Sequence, residues 1–411
     1  MADTRPQRGP EHRTVLFLVC AAVFISYIDR TAISVGAIAM QAQFGWDEGD
    51  KGLVLAAFFA GYLLLQIPAG ALSVRFGGRK VLGAGVLLWS LFTVLTPAAA
   101  ILSLPALLAA RVGLGLGEAS VFPSSINMIG RWVPASMRTR AVAMMVSTLL
   151  LATVFALLAT GWLIHLYGWA MPFYAFGALG FIWAAVWFAR VREGYGIAPT
   201  AAATPTPGEI PWGRLLRLPA LWAIICAHFC NNWVLFLELA WLPSYFKSVH
   251  SVSLTNAGLL SAIPWFIGFM SGIAVGHMAD RLLRSGRRAS AVRKSLQTVS
   301  LLGPAMAMLL LPSVDTAGAA LLLICFTTAT MAFAGSGFAS NCFDIAPRHA
   351  SVIWGLSNTV AALPGVIGVY ITGWLVQRTG HYAAPFYLTA AVTITGALVF
   401  IRFASGERQI D

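Results

Sequence analysis

Apolar stretches of about 20 residues recur from one end of this chain to the other, and no other feature restricts the fold so strongly. A helix of that length, rising 1.5 Å per residue, crosses roughly 30 Å of hydrocarbon. Twelve such runs are read at 14–38, 52–73, 80–101, 104–129, 140–164, 170–190, 218–244, 257–278, 296–313, 317–341, 350–375 and 383–403. Of the 411 residues, 58% are hydrophobic and only 10% are charged. A soluble protein carries about 25% charged residues. The chain is therefore read as an all-α, polytopic membrane protein. The first run is too long for a secretory signal, holds a charge pair and is followed by no small-residue cleavage site, so it is read as a retained span.

The longest interruption is GIAPTAAATPTPGEIPWG, Gly196 to Gly213. It is rich in Pro, Ala and Thr and has no periodicity, which predicts a flexible linker. It parts the spans six and six, giving a first bundle at 1–195, a cytoplasmic linker at 196–213 and a second bundle at 214–411. GALSVRFGGRK (Gly70 to Lys80) follows the second span, and GHMADRLLRSGRR (Gly276 to Arg288) follows the eighth. Similar loops at equivalent places predict two related halves, with a substrate site between them near the bilayer midplane.

The net charge of +12 raises the question of a nucleic-acid partner. The placement of the charges argues against one. Of 27 Lys and Arg residues, 22 fall on the side that holds both termini, and Lys51, Lys247 and Arg378 on the other. Arg30 and Arg111 fall inside spans. This asymmetry is a topology signal that places both termini in the cytoplasm. Five cysteines lie in apolar stretches and are read as small apolar side chains rather than disulfides or metal ligands.

Inside the spans stand five charges: Asp29, Arg30, Arg111, Glu118 and Glu238. Each costs a few kcal/mol at the bilayer centre, so such residues normally pair, face the bundle interior and mark a pathway. Asp29 and Arg30 point roughly 100° apart on a helix, so at least one looks to another helix. Arg111 and Glu118 lie two turns apart on one face. The simplest arrangement sets the first and fourth spans side by side, with two acids and two arginines in one polar pocket. It could be a pair of structural salt bridges. Ion pairs are a weak source of stability once desolvation is counted, however, and two arginines in one place suit an anion. An acid there can gain or lose a proton as the anion comes and goes. Glu238 reads first as a glutamate snorkelling towards the outer surface, with a third protonatable site as the alternative.

Softer signals surround these. Gly113, Gly115 and Gly117 permit close helix packing and are no dinucleotide fingerprint, since no strand precedes them. Tyr27 and Tyr62 either bond a ligand or bridge helices. Asn127, Asn231, Asn232, Asn341 and Asn358 are mid-span amides in need of partners. His165 and His228 read as packed or interfacial. No H-E-x-x-H, G-x-S-x-G or paired Cys/His spacing points to an enzyme or a metal.

The loop at Gly70 to Lys80 and the duplicated halves resemble the major facilitator superfamily. ARVGLGLGEASVFPSSINMIGRWVP (Ala110 to Pro134), SYIDRTAISVG, GYLLLQIPAG, NNWVLFLELAWLPSYF and FDIAPRHASVIWGLSNTVAALPG resemble its anion:cation symporter branch. That branch includes bacterial sugar-acid importers, plant plastid anion transporters, sialin and the vesicular glutamate transporters. The resemblance implies an alternating-access carrier of a small organic anion, driven by protons, in the cell (inner) membrane, working as a monomer without a cofactor. It implies proton carriage by Asp29 and Glu118. Arg30, Arg111, Tyr27, Tyr62 and Asn358 would bind substrate, with Asn232 added as a mid-span amide, and Arg75, Arg79 and Asp280 would gate. The chain departs from the pattern at Val74, where an acid is usual, at Ala362, often an asparagine, and at Glu238, usually hydrophobic. These departures leave the identity of the anion open, and exchange of an anion or phosphate without proton drive remains the alternative.

Overall fold

A computed structural model describes residues 11–134, 137–191 and 211–410. Residues 192–210, which hold most of the expected linker at 196–213, lie outside the described residues. Among those described, twelve helices are long and apolar enough to span a membrane. They are α1 (His12–Phe44), α2 (Glu48–Phe76), α3 (Gly78–Leu102), α4 (Leu104–Trp132), α5 (Arg140–Tyr167), α6 (Met171–Arg190), α7 (Pro219–Val249), α8 (Leu254–Arg284), α9 (Ala289–Ser313), α10 (Ala317–Ile345), α11 (Val352–Thr379) and α12 (Ala383–Phe403). Every expected run has its helix, and most helices outrun it. α7 and α8 have 31 residues each, about 46 Å, well beyond the hydrocarbon layer. Hydropathy marks only the lipid-embedded part, and the polar ends continue the helix outside it.

Helix starts follow ordinary chemistry. Asp47 caps α2 by accepting from the Asp50 amide, and Asp50 returns the bond. Ser103, Ser253 and Thr316 cap α4, α8 and α10 with their hydroxyls.

Two breaks matter more. α4 is interrupted at Ala119 and Ser120, directly after Glu118. Pro123 has no amide to offer the Ala119 carbonyl, so the ladder fails there. α10, which holds the fourth place in the second half, passes into a 3-10 turn at Ala332–Gly335 before resuming at Phe338. Interrupted helices at corresponding positions of two repeats are a pointer to a transport site.

Glycines set how closely α4 packs. A side chain on Gly115 would run into the Phe58 carbonyl of α2, and one on Gly61 into the Val112 carbonyl. The α2 and α4 backbones therefore touch, and a larger residue forces them apart. Gly115→Leu is expected to cost roughly 3 kcal/mol or more, read as a fall of the thermal unfolding midpoint in detergent.

The halves meet at the end remote from the termini. There α2 crosses α11, Gly52 resting on Gly373, and Gly258 of α8 closes on Leu157 of α5. One apolar core runs through α1–α6 and continues into α7–α12. At the terminus-bearing end the halves part. A crevice of about 1320 Å3 opens between α1, α5 and α8, lined by Leu16, Cys20, Phe24, Leu151, Trp265 and Phe269. The bundle is thus closed at the far end and open at the other.

Candidate functional site

At mid-depth the four charges of α1 and α4 lie together. Asp29 and Glu118 are fully buried, Arg111 is 1% exposed and Arg30 6%. Arg30 donates from Nε and Nη2 to Glu118 Oε2, at 3.1 and 2.9 Å. Its guanidinium lies against three rings: Phe58 at 4.6 Å, Tyr27 at 4.7 Å and Tyr62 at 4.8 Å. An aromatic box of this kind holds the cation by its quadrupoles and fixes the plane of the fork. Tyr27 and Tyr62 are thus Arg30 supports, a role between the two that their sequence positions left open.

Beside this pair stands an unsatisfied set. Both Asp29 carboxylate oxygens, Glu118 Oε1, and Arg111 Nε and Nη1 have no hydrogen-bond partner among the described residues. Arg111 lies 5.6 Å above the Phe58 ring, within the fields of Glu118, Asp29 and Arg30. Buried charges without partners are expensive, and natural structures seldom keep them without a use. Arg30 and Arg111 also line one small cavity with Ser34, Phe58, and Leu239 and Ala240 of α7. Both guanidinium groups therefore face the seam between the halves.

The adjacency of α1 and α4 is less direct than the sequence suggests. The first segment of α4 packs on α2 and α3, while α1 meets its second segment. Arg30 bridges the rest of the distance through its long side chain.

The other expected residues are scattered. Asn232 donates to the Ala361 carbonyl at 2.9 Å, holding α7 against α11. Asn358, half-buried, stands one turn before that carbonyl. No hydrogen bond among the described residues joins either amide to the charged cluster. Asn231 accepts from Ser300, Asn127 from the Gly78 amide, and Asn341 donates to the Ser405 carbonyl. These three tie helices together. His228 contacts Ser357 and lies against Phe338 and Trp354.

The three gating candidates do not meet across the halves. Arg75 is exposed against the Phe76 ring of its own helix. Arg79 donates to the Phe188 and Val191 carbonyls at the end of α6. Asp280 pairs with Arg284 one turn on, at 3.7 Å, with both side chains exposed. In this open state each is satisfied locally or solvated.

Glu238 overturns an expectation. It does not snorkel: it is 3% exposed, and neither carboxylate oxygen has a partner among the described residues.

Sequence reasoning also missed a far-end cluster. Sequence places Lys51 among the loop charges, yet it is 2% exposed. Its ammonium donates to Gln41 at 2.9 Å, pairs with Glu48 at 2.7 Å and lies 5.1 Å from the Trp241 ring of the other half. Gln377 of α11 donates to Asp47 nearby, at 2.6 Å. The available signal was a Glu-x-x-Lys pair opening an apolar run, where an exposed loop charge needs no such partner.

Residues 19–369 match the family described as the Major Facilitator Superfamily. The Arabidopsis thaliana protein named sodium-dependent phosphate transport protein 1, chloroplastic, is 38% identical, over 97% of this chain and 80% of its own. The Arabidopsis thaliana protein named ascorbate transporter, chloroplastic, is 37% identical, over 98% of this chain and 77% of its own. Among solved structures, a bacterial homologue of the human lysosomal transporter Spinster, inward-facing and occupied, superposes with a TM-score of 0.82 at 18% identity, covering 96% of this chain and 97% of the other. That last likeness speaks to the fold alone.

Proposed function

The chain belongs to the major facilitator superfamily and is a multi-pass membrane transporter, not an enzyme, and on that premise we propose that it carries a small organic anion, a sugar acid or another carboxylate, together with protons. The observation that carries this reading is the coexistence, in one buried cluster, of spare proton sites on Asp29 and Glu118 and spare donors on Arg111. Relatives named for phosphate and for ascorbate support an anion as cargo.

The residues divide the work as follows. Arg111 supplies a planar fork with free N–H groups to the carboxylate. Arg30 has two possible partners, Glu118 and the anion. With no anion bound it pairs with ionised Glu118. A proton on Glu118 weakens that pair and frees the Arg30 fork for the substrate, so the two cargoes favour each other's binding. Asp29 takes a second proton. One proton with a monoanion is electroneutral. Two protons bring in a net positive charge, which a negative interior favours. Tyr27 and Tyr62 hold the Arg30 plane, and Asn232 and Asn358 complete the site when the second half swings over it. Arg75 and Asp280 serve the closure of the terminus-bearing end, while Arg79 braces α6. The 22-to-3 distribution of basic residues supports a cell (inner) membrane orientation with both termini cytoplasmic, and the protein acts as a monomer.

A second reading, anion or phosphate exchange without protons, draws on the relative named for phosphate. A thermal-shift screen of the purified protein against sugar acids, hexuronates, mono- and dicarboxylates, aromatic acids and phosphate separates the substrates, because a ligand of the folded state raises its stability by mass action. Stabilisation by a carboxylate supports an organic anion as cargo, leaving proton coupling to transport assays, and stabilisation by phosphate alone supports the second reading. Stabilisation only by a cation or neutral compound contradicts both.

A further inference from the structure

Glu238 lies in the second half, outside the charged cluster. It lines a small cavity with Leu237, Trp241, Tyr245, Tyr382 and Phe386, about 10 Å3 in volume. That is room for at most about one water molecule. Around it the titratable groups are few. Its own helix contributes Tyr245, α10 contributes Cys325, and the entry to α12 contributes Tyr382. α9 brings only Met308 and Leu311 to the cavity, and α11 meets the far side of Trp241 through Val369. From the other half, Lys51 of α2 reaches the Trp241 ring, and Arg30 of α1 lines a separate small cavity with Leu239 and Ala240 of α7. No charged group among the described residues lines the cavity itself.

Trp241 is the wall between this cavity and the far-end closure. Its indole N–H donates to the Val369 carbonyl at 3.1 Å, and Lys51 covers its ring. On the solvent side, Tyr245 shares the cavity with Glu238 and its hydroxyl meets His250 Nε2 at 3.2 Å. His250 follows α7 and is half-buried. Its burial lowers the imidazole pKa against the opposing pull of Asp315, so it reaches pH 7 neutral and able to take a proton.

We propose that Glu238 is a proton site of the far-end gate. The gate closes over Glu238 as the neutral acid, and opening it lets the carboxyl exchange its proton with far-side water by way of Tyr245 and His250. The chemistry is one reversible ionisation, carboxylic acid to carboxylate plus a proton accepted by water or the His250 imidazole. Closing over the ion would bury a carboxylate with no donor and no cation, at a cost of several kcal/mol. Closure is thereby linked to uptake of one proton. This step requires alternating access but not proton carriage by Asp29 or Glu118.

The test reads the gate and not transport. Spin labels at Ala42→Cys and His381→Cys, both exposed at the far end, report its opening in a background free of native cysteines. The double variant Asp29→Asn, Glu118→Gln removes the other acids. In that background the closed-to-open ratio is expected to fall about tenfold per pH unit above the range in which an exposed glutamate titrates, the linkage of one proton. Adding Glu238→Gln, or Glu238→Leu should the amide fold poorly, is expected to leave the gate closed at every pH. A pH response that survives without Glu238, or none while Glu238 is present, overturns the proposal. Neither result bears on whether Asp29 and Glu118 drive uptake, which transport assays decide separately.

Discussion

Arg111→Ala is expected to weaken anion binding by about a hundredfold or more while the protein still folds. The expectation rests on where Arg111 spends its donors. Its Nε and Nη1 have no partner among the described residues, so truncation breaks no hydrogen bond made by those atoms and strands no acceptor. It leaves Asp29 without a nearby cation, a cost that a proton on Asp29 relieves, so the empty protein still folds. The bound state loses a charge-assisted fork in a site shielded from water. Truncating one partner of such a pair costs roughly 3 kcal/mol, which is about a hundredfold in affinity. Arg30→Ala should behave differently. Arg30 is bonded twice to Glu118, and its loss takes both hydrogen bonds from that acid and leaves it only the more distant field of Arg111, so stability and binding fall together. Isothermal binding and thermal unfolding, measured on both variants, separate the two cases. Equal destabilisation by both would mean that Arg111 is a structural residue.

Glu118→Gln is expected to abolish net uptake driven by a pH gradient, by about a hundredfold or more, and to spare counterflow of labelled against unlabelled anion. Glutamine keeps the shape and an acceptor oxygen for Arg30 but cannot bind or release a proton. Arg30 is then held by a neutral partner, as it would be by protonated Glu118, and stays available to the anion at any pH. Exchange needs only the loaded carrier to reorient. Net uptake needs the empty carrier to return, and its return is set by the Arg30–Glu118 ion pair that glutamine cannot make. Loss of both counterflow and net uptake, with the protein folded, would contradict this account of Glu118.

The fold was legible because lipid simplifies the reading. Each span announced itself by length and hydropathy, and the repeat of the Arg75 loop near Asp280 announced the two halves. The ends of α7 and α8 were not legible, because polar turns beyond the hydrocarbon carry no hydropathy signal. Asp29, Arg30, Arg111 and Glu118 stood out for the opposite reason, as charges where charge is expensive, and the structure gathers all four. Their pairing was not legible. Spacing places Asp29 and Arg30 on different faces but cannot say that Arg30, held by rings from two helices, takes Glu118 while Asp29 goes unpaired. Lys51 and Glu238 show the limit from both sides. Each lies close to the far end of its helix, where sequence suggests contact with water. Each is buried because the halves close there, and that closure depends on contacts between α2, α7 and α11 that lie far apart in the chain. Arg75 and Asp280 lie at the open end, where this state gives them nothing across the seam to hold.

The most direct measurement places the purified protein in liposomes with a pH-sensitive dye inside and adds the anion found by the thermal-shift screen. The account predicts acidification of the lumen on adding anion outside, in step with anion entry, and none from Glu118→Gln. Anion entry with no movement of protons in the unaltered protein would contradict it.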